Sequence, residues 1–457
     1  MRLSERSIRT HVKGFLPIVW TEEALSAHGG LELFSRFLVE HGWLDRLRQV
    51  FAVRRFDTDY GSWRMALAVI GLLLVGGSRL AHLRQLSSDP VFLRFARLRR
   101  LPSERTLSRW LGQMTECLRD RLQALLREVA FATWTAAALT RVTLELDGTT
   151  LRTGNCVEGA ERGFTPHHPK DPSYYPLTAH LAQTGQILGV WNRPGNTHDS
   201  VGAVERLQEL LAEIRAQLGP VPLEVRLDGA FCQKAILELL TASGVEYAIK
   251  MPLWKWLEVQ PRIAQRKQWT RVNASVDAFS MPLRIEKWGR TERVVVFRKR
   301  ISGAPAKAFQ LELFQPDDGF YEYSMVTTNK VCRERTLWSF MAGRGGHENT
   351  LGELKHGLAF GSIVTQDWDA NSAWQILNAL VHNLVRDFQL HAGIATPKRN
   401  TLKRTTRLLF RTMRTLRFEW IHLPARIARP QGRSQLRIAA EPRTRQRLNR
   451  ALDKLAA

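Results

Sequence analysis

Apolar residues recur every three to four positions through 31–44, 64–74 and 118–134, the interval that lines one face of a helix. Residues 1–140 are therefore expected to be helical. Two more helices are expected at 79–88 and 106–114, the second begun by Pro102 and Ser103, with Arg105 and Arg109 one turn apart. This pair reads either as a helix-turn-helix entering a major groove through Arg105 and Arg109, or as two packed helices with a solvated basic face. At Val142 the period changes from helical to alternating. Strands are expected at 142–147, 177–183 and 186–192, the last two joined by a tight turn at Thr184 and Gly185. A helix over 200–218, stopped by Gly219 and Pro220, leads to a strand at 221–227, a helix at 233–243 and a strand at 245–250. This order predicts an α/β fold with a mixed sheet and an Asp closing its first and fourth strands.

The pattern then turns β-rich over 252–330, with strands at 269–276, 283–288, 293–301, 309–314 and 321–328. Turn residues punctuate it at 303–305 and 316–319. Two long helical patterns follow at 335–358 and 370–390. Five regions result: 1–140, 141–251, 252–330, 331–395 and a basic segment at 396–457. The apolar run at 65–77 holds 13 residues, short of the roughly 20 a membrane span needs, so a buried helix is expected and no membrane partner.

Charge sharpens the picture. The 457 residues carry 67 Lys+Arg against 43 Asp+Glu, a net +24, which points to a polyanion such as nucleic acid. Residues 398–457 hold 17 Lys+Arg and 3 acids, hence +14 of that surplus, and are expected to form a solvated arm on DNA. Within it, 417–423 alternates as a strand does, and Leu436 to Ile438 is expected to pair across a turn at 430–432. Cys117, Cys156, Cys232 and Cys332 are widely separated, which excludes a zinc ribbon or a disulfide scaffold and fits a reducing cytosol.

Three acids stand out by context. Asp147 and Asp228 each close a strand and are each followed by a Gly, which lets the backbone turn away and leaves the carboxylate at the sheet edge. Glu348 lies on the helix expected at 335–358. Two strand-end carboxylates and one helix carboxylate are the parts of a two-metal site, in which hard oxygen ligands hold two Mg²⁺ or Mn²⁺ ions roughly 3.5–4 Å apart for in-line phosphoryl transfer. At about 100° per residue, Arg344, Glu348 and Lys355 fall on one helix face, whereas Glu353 is rotated by roughly 140° and is expected at the surface or between helices. Asn196 to Asp199 form either a loop reaching the site through His198 or a helix N-cap. His167 and His168 lack partners at metal spacing and read as a solvent loop. Trp254, Trp256, Trp269 and Trp288 are core residues or stacking surfaces for unpaired bases.

Met341, Arg344, Glu348 and Lys355 resemble the Y-R-E-K signature of bacterial insertion-sequence DDE transposases of the group-1 type, with Met at the Tyr position. Leu146 to Thr149, Arg226 to Phe231, Thr327 to Asn329, Asn378, Asn383 and Leu384, and Leu101 to Thr106 are similar to further motifs of that family. The resemblance spans about 60–440. It implies an RNase H-like core interrupted by a β-rich insertion, metal binding by Asp147, Asp228 and Glu348, and phosphate contacts by Arg344 and Lys355. It further implies end cleavage, strand transfer, a hairpin on the excised end and a homodimer on double-stranded DNA in a bacterial cytoplasm, at the nucleoid. The alternatives are a non-catalytic DNA-binding relic and a structure-specific metal-dependent nuclease on the same fold.

Overall fold

The computed structural model describes residues 16, 18–53, 59–163, 171–301, 321–398 and 408–456. His167, His168, the strand expected at 309–314 and its flanking turns lie outside these residues. The helical face predicted at 31–44 is two helices, α1 (Leu31–Glu40) and α2 (Trp43–Val50), separated by Gly42 in a left-handed conformation that stops the first. The apolar run becomes α3 (Ser62–Val75), buried almost throughout, as a helix without a polar face must be. Among the described residues no single helix is long and apolar enough to cross a membrane.

The residues expected to form a helix at 79–88 make a 3₁₀ turn, Leu80–Leu86, and α4 (Pro90–Phe95) intervenes before α5 (Glu104–Gly112). A compact helix-turn-helix is therefore absent here: the two elements are separated by a third. Ser103 caps α5 as expected, its hydroxyl accepting from the Thr106 amide at 3.1 Å. Next comes α6 (Glu116–Ala136), 21 residues long.

The sheet begins with β1 (Val142–Gly148), β2 (Leu177–Leu181) and β3 (Gln186–Trp191), followed by α7 (Ala203–Leu218), β4 (Leu223–Leu227), α8 (Lys234–Ala242) and β5 (Glu246–Met251). The last two sheet strands of the predicted order are thus parallel to β1, and the first three are antiparallel, giving β3-β2-β1-β4-β5. Parallel pairing needs the long crossovers that α7 and α8 provide. The β-rich segment continues this sheet. Its long strands β6 (Val276–Ile285), β7 (Arg290–Arg300) and β8 (Tyr321–Thr328) pair antiparallel, and β8 pairs with β5. With a short edge strand at Thr270–Arg271, the sheet has nine strands and is mixed. The strands expected at 269–276 and 283–288 do not match β6, which spans the gap between them. The stretch 286–288 is a 3₁₀ turn that closes a hairpin at Gly289, whose φ is +65°.

The helix expected at 335–358 is broken. α9 (Glu334–Ala342) ends at Gly343, α10 (Gly345–Gly352) starts afresh, and Glu353–Gly357 makes a wide π turn. After it, α11 (Trp368–His391) runs through the middle of the molecule, buried from Ala370 to Gln389, and packs on α6, β3, α5 and α3. The tail does not hang free. Met413, Leu416, Trp420 and Ile421 join the core formed by α1–α6 and α11. The strand expected at 417–423 is helical, Arg417–Ile421. The ribbon is present further on, as β9 (Ala425–Ala428) paired with β10 (Gln435–Ile438), and its other edge takes Leu25–Ser26. α12 (Pro442–Ala456) lays Leu448, Ala451 and Leu455 into the same core.

Candidate active site

Sheet geometry brings Asp147 and Asp228 together. β1 and β4 are adjacent and parallel, so their C-terminal ends open on the same edge. Asp147 is largely buried and Asp228 about two-fifths exposed. Gly229 follows Asp228 closely enough for its amide to donate to the carboxylate. A side chain at Gly148 would collide with Tyr175 and Asp199, so the turn out of β1 needs Gly there.

Arg344 stands between the two Asp residues. One guanidinium nitrogen lies 3.1 Å from Asp147 Oδ2 and another ion-pairs with Asp228 Oδ2. Burial pushes the Asp147 carboxyl up to about 7; Arg344 opposes that rise, and Asp199, Asp228 and Glu348 add to it. At Asp228 burial is outweighed by Arg344 and the Gly229 amide, which hold that carboxyl below its ordinary value. One acid is thus poised to carry a proton near neutrality while its neighbour stays ionised.

Glu348 lies in the first turn of α10, exposed and lining a groove of about 350 Å³ with Lys250, Met341 and Arg344. Met341 fills the Tyr position of the signature with a thioether, which donates no hydrogen bond. Lys355 approaches from the π turn: its ammonium donates to the Thr150 carbonyl at 3.0 Å, three residues past Asp147. Burial lowers its pKa and Asp147 opposes the fall. The signature residues do converge, but not as a stripe on one regular helix. Arg344 caps α10 and Lys355 reaches the site because the π turn swings it round.

Glu353 points away, as its rotation predicted, but into the interior. Its carboxylate ion-pairs with Arg386 at 3.0 Å and accepts the Met413 amide at 3.0 Å. His198 is exposed and bonds locally to the Ser200 hydroxyl at 2.8 Å. Arg105 and Arg109 are exposed on α5, away from its buried face of Leu107, Trp110 and Leu111. Asn196 to Asp199 do not cap α7, whose N-cap is Gly202 with no side-chain bond. Asp199 instead stands near Tyr175 and Asp147 and adds to burial in raising the pKa of both, as a fourth acid that the sequence placed only in a loop. Arg193 holds that loop through the carbonyls of His198, Asp199 and Val201. Trp254, Trp256 and Trp288 cluster together, ring centroids 5.3–6.1 Å apart, with Lys287 over Trp256. Trp269 packs on Phe279 instead.

The donor set fits a divalent cation that prefers oxygen. It consists of carboxylates, it already surrounds a cationic group in the Arg344 guanidinium, and Asp199 Oδ1 is buried with no hydrogen-bond partner.

A mixed sheet with acids at adjacent parallel strand ends, a third acid on a helix near them and basic residues beside them is an arrangement of the kind that phosphoryl chemistry uses. The chain matches the family model for the transposase DDE domain, group 1, over residues 16–457, and belongs to that family. No curated protein matches it. Among solved structures it is similar to a piggyBac transposase in a synaptic complex with hairpin DNA. That similarity has 11% identity and a TM-score of 0.42, covering 87% of this chain and 82% of the other.

Proposed function

We propose that the protein cuts DNA at the ends of a mobile element and joins the freed 3′ ends to target DNA, using Mg²⁺ or Mn²⁺ ions held by Asp147, Asp228 and Glu348. The carrying observation is that Asp147 and Asp228 converge on Arg344, and that Glu348 lines a groove together with that same Arg344. The order β3-β2-β1-β4-β5 supports an RNase H-like core for this chemistry. Such ions, held there, would activate water or a 3′-hydroxyl and stabilise the charge that develops on the scissile phosphate.

The chain's own groups supply the rest. Arg344 and Lys355 flank Asp147 and hold the scissile phosphate by charge-assisted hydrogen bonds. Asp147, with its raised pKa, releases a proton before it can act as a ligand. Arg105 and Arg109 on α5, and His198 on its loop, contact DNA further out. Work on two ends places two copies on the DNA, in a bacterial nucleoid.

The test is cleavage of duplexes carrying the inverted repeats that flank the gene, with purified full-length protein and Mn²⁺ or Mg²⁺. The expected result is nicking at the element ends and joining to target, with Glu348→Gln binding ends yet cutting nothing. End binding without any cleavage by the wild type would leave only a DNA-binding relic. Cutting of branched DNA regardless of end sequence would make it a nuclease.

A further inference from the structure

One layer beneath the acids lies a closed polar network. Glu145 and Arg226 each stand two residues before an acid of the site, Asp147 and Asp228, and face each other in the β1–β4 register. Both side chains have no solvent exposure. One Glu145 oxygen takes two nitrogens of Arg226, and the third nitrogen donates to the Phe340 carbonyl in the last turn of α9. The other Glu145 oxygen lies 2.9 Å from His180 Nδ1. His180 stacks on His347, the neighbour of Glu348, with centroids 4.5 Å apart.

Thr178 on β2 ties this layer to the site. Its hydroxyl donates to the Asp147 carbonyl at 3.0 Å and lies 3.1 Å from His347 Nε2. A hydroxyl has one proton, so Nε2 of His347 carries the hydrogen of that second bond, which assigns the tautomer. Burial lowers the pKa of both imidazoles well below the ordinary value. Glu145, His180 and His347 bring possible ligand atoms within 4.8 Å of one another. The rings are stacked, however, only 26° from parallel, so an ion in the plane of one would sit over the face of the other.

The three acids are held in unequal ways. Asp147 lies within the backbone ladder of β1 and Asp228 directly follows that of β4, whereas Glu348 sits on a helix with no ladder to the sheet. Its place is set by side chains, and within this layer those are His347 through Thr178 and the α9 end through Arg226. A buried ion pair is not needed for stability, since apolar replacements of similar volume are often neutral or better. We infer that Thr178, His347, Glu145 and Arg226 are positioning residues that set Glu348 against Asp147 and Asp228. This rests on the proposed metal-dependent function.

Thr178→Val keeps the shape and removes both hydroxyl bonds. In the full-length protein it should fold with a near-normal Tm and bind end DNA as the wild type does. Its Mn²⁺ affinity by calorimetry should fall on the order of tenfold, and its kcat about 10–100-fold with KM unchanged. Thr178→Ser, which restores the hydroxyl, should recover both. Wild-type Mn²⁺ affinity in Thr178→Val would overturn the inference, as would a Ser variant no better than Val, because packing would then be the cause. If Thr178→Val does not fold, the paired replacement Glu145→Leu with Arg226→Met takes its place. That pair folding with lowered Mn²⁺ affinity supports the inference; unchanged affinity defeats it. Calorimetry on wild type and Asp147→Asn separates the two levels. If the wild type shows no binding that Asp147→Asn abolishes, the metal-dependent function itself fails.

Discussion

The ion proposed for Asp147 and Asp228 has Arg344 as its competitor, because the guanidinium already touches both carboxylates. Removing one positive charge about 4 Å from a divalent-cation site removes a repulsion of roughly 8 kcal/mol at an effective dielectric near 20, most of which water and counter-ions screen at an open site. Arg344→Ala should therefore bind Mn²⁺ about tenfold or more tightly by calorimetry, while cutting end DNA more slowly for want of its hold on the phosphate. Unchanged Mn²⁺ affinity would place the ion elsewhere. Glu353 illustrates a second residue-scale effect. Burial would raise its carboxyl, but His382 and Arg386 outweigh that and hold it down to about 2. A depressed carboxyl contributes stability above its unfolded pKa, near 4.5, which is lost as pH falls through about 2. With Arg386, His382 and the Met413 amide facing it, the contribution is on the order of 3 kcal/mol. Glu353→Gln should lower Tm at pH 7 and flatten the loss of Tm between pH 4.5 and 2. An unchanged acid profile would refute that assignment.

At the scale of elements, the broken helix matters most. Ridges on one continuous helix would have set Arg344 and Lys355 by rotation alone; instead Gly343 and the π turn aim them separately. A side chain at Gly343 would run into Arg226, so the break is also where α9 meets the buried layer. The family-like residues outside the site are structural for the same reason of fit. Asn383 bonds β3 through the Ile187 amide and carbonyl, and Asn329 spans the Tyr247 amide and the Val245 carbonyl. Arg417 closes α3, donating to the carbonyls of Leu73 and Leu74 at 2.6 and 2.9 Å from a half-buried position. Arg417→Met should leave the Leu74 carbonyl without its partner, while Leu73 keeps the Gly76 amide, and cost roughly 1–3 kcal/mol, read as a fall in urea midpoint. A midpoint within error of wild type would show that water takes over that bond.

Across the whole molecule, the basic tail serves as wall as well as surface. Its apolar residues fill the core around α11, and β9 pairs with Leu25–Ser26 near the other end of the chain. Removal of 398–457 is thus expected to abolish cooperative unfolding rather than merely reduce DNA affinity. Replacing exposed arginines instead, with Arg429, Arg433 and Arg443 changed together to Gln, should leave Tm unchanged. Every phosphate that the variant no longer neutralises should lower the log–log salt slope of DNA binding by about 0.9. A truncated protein that melts cooperatively at the wild-type Tm would refute the structural role.

Local periodicity determined much of this protein. The alternation from Val142, the crossover helices, the capped α5 and the strand-end Asp-Gly pairs depend on neighbours a few residues away, and those are written in order along the chain. That Glu348 and Glu353 point in different directions also followed from rotation per residue along α10. Tertiary structure alone decided the rest. It joined the β-rich segment to the core sheet, since β5–β8 pairing links strands about 70 residues apart and leaves no local signal. It turned the tail inward, because a basic amphipathic helix shows the same pattern whether its apolar face meets solvent or a core. It also brought Asp199, Thr178 and the Glu145–Arg226 layer to the site, because burial and hydrogen bonding between distant segments exist only once the sheet has closed over them.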